Sequence, residues 1–224
     1  MFGSVLLLCG GQMDMDFTAE YLSDRHFDHV VCADSGLNTA YVLHLPVDYI
    51  MGDFDSVSGE ILQKYQSGQV ENATGVQFVQ YPTAKDATDT EMVLDWILHQ
   101  DPSEITILGA TGGRLDHLLA NIQILMQPLA KQIPTWMIDR NNRVRLVDHT
   151  VELHRQDLFG KYISLIPLTE KVYPVTLEGF AYPLEEHTLT IGNSLGISNE
   201  MAERVDLARV SFQEGVLILI ESRD

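Results

Sequence analysis

Only two cysteines occur in the 224 residues, Cys9 and Cys32. Neither has the paired spacing of a metal knuckle, and each sits inside an apolar, strand-like run. They read as two buried thiols of a reducing, cytoplasmic compartment rather than as a disulfide. Positive charge is also scarce: 14 Lys and Arg against 32 Asp and Glu leave a formal net charge of -18. Surfaces that bind nucleic acid or anionic membranes use Lys and Arg to neutralise phosphates, so both are excluded as main partners. Small phosphate ligands stay open, because a divalent metal and a few placed cations suffice to hold them. No run approaches the ~18 apolar residues of a membrane span. The early run Val5 to Cys9 has no basic residue ahead of it, unlike a signal peptide. Neither phosphate-loop fingerprint, G-x-x-x-x-G-K-S/T or G-x-G-x-x-G, is present, and there is no internal repeat or low-complexity linker.

What is present is an ordinary globular composition, 45% hydrophobic and 21% charged. Up to about residue 145, strands are predicted at SVLLLC, HVVCAD, DYIMG, VQFVQYP, EITILGA and PTWMID. Amphipathic segments such as DFTAEYLSD, EILQKYQ and ATDTEMVLDWILHQ separate them. The connection RLDHLLANIQILMQPLAKQ repeats Leu115, Leu118, Leu119, Ile122, Leu125 and Met126 at helical spacing. Near-continuously apolar strands alternating with helices imply an α/β domain whose parallel sheet is covered on both faces. Ligands of such sheets gather at the carboxyl ends of the strands. Three polar turns, AD, GDFD and GATGG, each follow a predicted strand and should meet there. Beyond about residue 145 the runs become short and are punctuated by Gly, Pro and acidic turns, which predicts an antiparallel β-sandwich or barrel. The expected division is 1–146 and 147–224.

The turns supply the candidate residues. Asp53 and Asp55 flank Phe54, and like carboxylates close in space repel unless a proton or a cation lies between them. Mg²⁺ takes one or two carboxylates plus waters and substrate phosphates. A solvated turn is the plain alternative for this tripeptide. Asp86 and Asp89 fall in TAKDATDTEM, where Thr88 and Glu91 also form a capping-box pattern. Asp89 begins a helix on the same sheet edge as Asp53 and Asp55. In LGATGGRLDH, a turn holding Thr111 and Gly112 runs into a helix N-terminus, offering backbone N–H groups to an anion while Arg114 adds a charged fork. Asp34 ends the second strand. In the second half, GFAYPL and NSLGISNEM are polar turns; Tyr182 has a ring for stacking, and Ser198 and Asn199 carry hydrogen-bonding groups that suit a turn equally well. Eight histidines are scattered without metal spacing; His117 stands out for its neighbour Asp116.

Together, CADSGLN, MGDFDSV, KDATDTEMVL, LGATGGRLDHLLAN, GFAYPL and GISNE occur in the order found in thiamin pyrophosphokinases. The resemblance runs from about residue 5 to 222. It implies a Rossmann-like N-terminal α/β domain binding ATP and Mg²⁺, and a C-terminal β-sandwich for thiamin binding and dimerisation. The implied reaction moves the pyrophosphoryl group of ATP to the thiamin hydroxyl, giving thiamin diphosphate and AMP. The resemblance implies metal and polyphosphate ligation by Asp53, Asp55 and Asp89. Asp34, Asn38, Asp86, Thr111, Gly112, Arg114 and Asp116 fall in the nucleotide and phosphate site, Arg114 and Asp116 also counting as catalytic. Tyr182, Ser198 and Asn199 meet thiamin, in a cytoplasmic homodimer with sites between subunits. Some members carry Trp at Tyr182. Two rival readings are a haloacid-dehalogenase-like phosphatase using Asp53, and a non-catalytic nucleotide or metal sensor. The phosphatase motif normally follows a first strand, whereas Asp53 follows the third.

Overall fold

Val5, Leu6, Leu7 and Leu8 are consecutive and each at most 1% exposed. Successive strand side chains point to opposite faces, so a strand buried at every position belongs to a sheet covered on both sides. The computed structural model describes residues 2–73, 75–81 and 86–224. It divides into one unit ending at Arg140 and a second beginning at Asn141. No helix among the described residues is long and apolar enough to cross a membrane.

In the first unit, strands β1 (Gly3–Leu8), β2 (His29–Ala33), β3 (Tyr49–Gly52), β4 (Gln77–Gln80), β5 (Pro102–Leu108) and β6 (Thr135–Ile138) alternate with helices. The helices are α1 (Met15–Ser23), α2 (Gly36–Val42), α3 (Gly59–Gln66), α4 (Asp89–Leu98), α5 (Leu115–Ile124) and α6 (Met126–Ala130). The strand order is β6-β5-β1-β2-β3-β4, and all the pairings are parallel. The chain builds outward from β1 to β4 and then returns to lay β5 on the other side of β1. Helix α2 packs on β1 and β2 beside α3, while α4 packs on β2 and β3 beside α5.

Two local features depart from the sequence reading. The segment RLDHLLANIQILMQPLAKQ is two helices, broken at Leu125. Pro128 explains the break, since it has no N–H to give and its ring opposes the carbonyl of Ile124, four residues back. The apolar positions Leu115, Leu119 and Met126 are 73%, 59% and 40% exposed, and the one buried residue of α5 is the polar Asn121. The second departure is α2, a seven-residue helix in GLNTAYV for which the sequence gives no amphipathic pattern.

The second unit is antiparallel. Its strands are β7 (Asn142–Val147), β8 (Val151–His154), β9 (Tyr162–Pro167), β10 (Lys171–Glu178), β11 (Leu184–Thr190), β12 (Asn199–Glu200), β13 (Leu207–Ser211) and β14 (Leu217–Ser222). They form a β12-β9-β14-β7 layer and a β11-β10-β13-β8 layer. Alternation along β8 and β13 turns every second residue inward, as a sandwich requires. Ile163, Leu165, Leu217 and Leu219 of the first layer meet Val172, Val175, Leu177, Ala208 and Val210 of the second in one core. At its margin Arg143 on β7 binds Glu221 on β14, with Nη2 at 2.7 Å from Oε2. Glu221 is 1% exposed and also accepts from the Phe159 N–H at 2.9 Å.

Candidate active site

A cleft of about 470 Å³ opens beyond the carboxyl ends of β1, β2 and β5. Its place is the point where the strand order reverses, between β1 and β5, which is where open α/β sheets bind ligands. The turns after β1 and β5 touch directly: the Gly11 N–H donates to Gly109 O at 2.8 Å. A Cβ on Gly11 would collide with Gly109 O, and one on Gly112 with Gln12 O, so only glycines let these backbones meet. Bare backbone therefore forms this wall.

The facing wall is acidic. Asp34 follows β2 with φ +44, a conformation Asp tolerates better than most residues. Its Oδ1 accepts from the Phe54 N–H at 3.2 Å, tying the β2 turn to the β3 turn. Asp34 is also hydrogen-bonded to Asp89, and both line the cleft. Burial, then the charge of Asp89, raises the Asp34 carboxyl from its ordinary 3.8 to about 7. Asp53 adds to the repulsion. Asp53 accepts from the Asp55 N–H at 3.1 Å, and Asp55 is exposed. Asp89 opens α4, where Thr88 caps the helix by accepting from the Glu91 N–H at 3.2 Å.

The other expected residues are placed as follows. Asn38, on α2, accepts from the Ser58 N–H at 3.3 Å and so links α2 to the start of α3. Asp86 is exposed ahead of α4. Thr111 is partly buried in the glycine turn, and Gly112 and Arg114 line the cleft. The Arg114 fork lies on Asp116, with Nε at 3.1 Å from Oδ1 and Nη2 bonded to Oδ2. This pairing lowers the Asp116 carboxyl and raises the Arg114 guanidinium. Both side chains are well exposed, so the pair is weak and exchangeable. In the second unit Tyr182 is 69% exposed. Asn199 is 3% exposed, and its amide accepts from the Tyr182 N–H at 3.1 Å and donates to Tyr182 O at 2.8 Å. It clamps the turn that displays the Tyr182 ring. Ser198 has φ +54, and its N–H donates to Ser164 Oγ at 2.9 Å.

Cys9, Ser35, Thr90 and Asn121 also line the cleft, and sequence reasoning did not single them out. Burial pushes the Cys9 thiol up to about 12, so it is neutral and unreactive. Asn121 did carry a signal, a polar residue on the helical face of Leu118 and Leu125.

Among the described residues no three His, Cys, Asp or Glu side chains form a ready-made metal cage. The donor set nevertheless fits Mg²⁺, which takes one or two carboxylates and completes its shell with water and phosphate oxygens. Asp34 lies against Asp89, and the repulsion between the two carboxyl groups is the condition a cation relieves.

An acidic cleft at the switch point of a parallel sheet, in one chain with a β-sandwich displaying an aromatic ring, defines a small-molecule enzyme of the α/β class without a phosphate loop. A family model described as thiamin pyrophosphokinase, catalytic domain, matches residues 21–137. A second, the vitamin B1 binding domain of thiamin pyrophosphokinase, matches residues 148–217. The thiamine pyrophosphokinase of Bacillus subtilis (strain 168) is 37% identical over 180 residues, covering 80% of each chain. A crystal structure of thiamine pyrophosphokinase from Bacillus subtilis matches with a TM-score of 0.84 at 31% identity, over 99% of both chains. One from Geobacillus thermodenitrificans gives 0.82 at 31% identity, over 99% of this chain and 98% of that one. The chain belongs to the thiamin pyrophosphokinase family.

Proposed function

We propose that the chain transfers the pyrophosphoryl group of ATP to the hydroxyl of thiamin with Mg²⁺, giving thiamin diphosphate and AMP. The observation that carries this reading is the contact of Asp34 with Asp89 in a cleft whose other wall is glycine backbone leading to Arg114. Phosphoryl transfer asks a protein mainly for positioning and charge neutralisation, so these parts suffice without a phosphate loop. Asp89, with Asp53 and Asp55 from the neighbouring turn, would hold the metal, which supplies neutralisation of the polyphosphate. Asp34 lines the cleft beside Asp89, and Asp86 and Asn38 would support the same edge. The turn of Thr111, Gly112 and Gly113 presents N–H groups to phosphate oxygens at the start of α5. Arg114 leaves Asp116 to meet the charge that develops as the bond to the leaving group breaks.

In the reaction the thiamin hydroxyl oxygen bonds to the β-phosphorus and the hydroxyl proton passes to solvent water. The bond from that phosphorus to the α-phosphate oxygen breaks, and AMP departs with the electron pair. The second unit supplies thiamin recognition: the Tyr182 ring offers a stacking face, held in place by Asn199 and flanked by Ser198. A cytoplasmic homodimer, with thiamin met by the partner's sandwich, completes the proposal. The exposed Leu115, Leu119 and Met126 of α5 and α6 support it, since an apolar stripe open to water favours burial against a second copy. The deciding experiment mixes protein, ATP, Mg²⁺ and thiamin and identifies both products. AMP with thiamin diphosphate is the expected result; ADP, free phosphate or no turnover overturns the proposal.

A further inference from the structure

Asn121 is a polar side chain in an unusual place. It is 7% exposed, the one buried residue of α5, and it lines the cleft. Its Nδ2 donates to Ala110 O at 2.8 Å. A carbonyl accepts only from the nitrogen end, so this bond fixes which way the amide points. Among the described residues no protein donor reaches Oδ1, and Oδ1 is not among the enclosed orphan atoms either. The oxygen is therefore presented to the cleft. Buried polar atoms in native proteins are satisfied as a rule, and an acceptor held open at the floor of a cleft is satisfied by what the cleft binds.

The kind of group that fits follows from position and sign. Asn121 lies seven residues beyond Arg114, about 10 Å along the helix at the α-helical rise. Its side chain nevertheless reaches back to the turn at Ala110, so the sign of the open atom, and not distance, separates it from the phosphate contacts. An amide oxygen repels phosphate oxygens, since both are acceptors. We propose that Asn121 is a specificity-determining residue whose Oδ1 accepts a hydrogen bond from the nucleoside part of the bound nucleotide. This inference rests on the ATP reading of the cleft. ATP has two sources of such a donor, the exocyclic amine of the base and the ribose hydroxyls.

The test compares ATP with three analogues on the full-length protein by calorimetric titration in Mg²⁺: purine riboside triphosphate, which lacks the amine, and the 2′-deoxy and 3′-deoxy forms of ATP. Wild type is expected to prefer ATP over one of them by about 10-fold, the worth of one hydrogen bond with a buried partner left unpaired. Asn121→Ala should collapse that preference to within about 2-fold, and the analogue affected tells amine from hydroxyl. Asn121→Asp keeps an acceptor and loses the Ala110 bond; it should retain the preference while lowering Tm, which separates reading the ligand from bracing the turn. Identical ratios across all analogues in wild type and Asn121→Ala overturn this inference alone. A wild type that binds none of the four nucleotides overturns the ATP reading of the cleft and this inference with it.

Discussion

Asp34 and Asp89 show how far a single carboxylate is defined by its backbone. Both face the cleft, while Asp55, two residues from Asp53, is exposed. The sequence drew attention to Asp53 and Asp55 because only Phe54 separates them. In the turn itself Asp53 is half-buried and Asp55 exposed, and the backbone there takes φ +144 at Gly52 and φ +66 at Phe54, which no residue count reveals. A side chain on Gly52 would also strike the Asp34 carboxylate, so this glycine holds the acid's place open. For Asp89→Asn we expect an unchanged far-UV spectrum and melting temperature near that of wild type, with kcat/KM reduced about 100-fold or more. Activity within about 3-fold of wild type across a Mg²⁺ series would remove Asp89 from the metal and phosphate machinery. Asn121 was harder to read, because a lone polar residue on an apolar helical face resembles an ordinary satisfied core amide. Only the direction of its Nδ2–H bond to Ala110 separates the two.

At the level of elements, the strands were the most legible part. VLLL and VVCA are too uniformly apolar for a sheet with one wet face, and they became β1 and β2 at the covered centre. The short, punctuated runs expected beyond about residue 145 became the sandwich, whose first strand already begins at Asn142. Helix α2 escaped notice because seven residues give too short a window for periodicity to show. The α5 and α6 break was written in Pro128 but masked by a leucine pattern that runs straight through it. The pairing of β7 with β14 supplies a stability test. Removing the carboxylate in Glu221→Ala strands Arg143 and the Phe159 N–H at a largely buried site, and breaking such a pair typically costs about 3–5 kcal/mol. Urea unfolding should show that loss. A change below about 1 kcal/mol would mean that water replaces the carboxylate without penalty.

For the whole molecule, the expected particle in solution is a homodimer, with a sedimentation mass of twice the 25.1 kDa chain. Leu119→Glu, at a position 59% exposed, should leave the fold intact and shift the particle toward the monomer. A wild-type mass of one chain would refute the dimer. The partition into an α/β unit and a β-sandwich was legible from the change of rhythm near residue 145, because periodicity is a property of the chain itself. The open apolar stripe of α5 was not, since exposure of Leu115 and Leu119 depends on where α5 is set down on the sheet.

The seam between β1 and β5 also bears on how the protein comes into being. Val5 pairs with Ile105, and the bond from Gly11 to Gly109 closes the cleft across the same span. Those partners are about one hundred residues apart, so during synthesis at ~5–20 residues per second β1 waits roughly 5–20 s for its neighbour. Until then its unbroken apolar run has no cover on that side, and the incomplete chain is exposed to wrong strand partners. The ligand cleft is thus absent from every shorter nascent chain, and the ability to bind arrives late, together with the closing of the sheet.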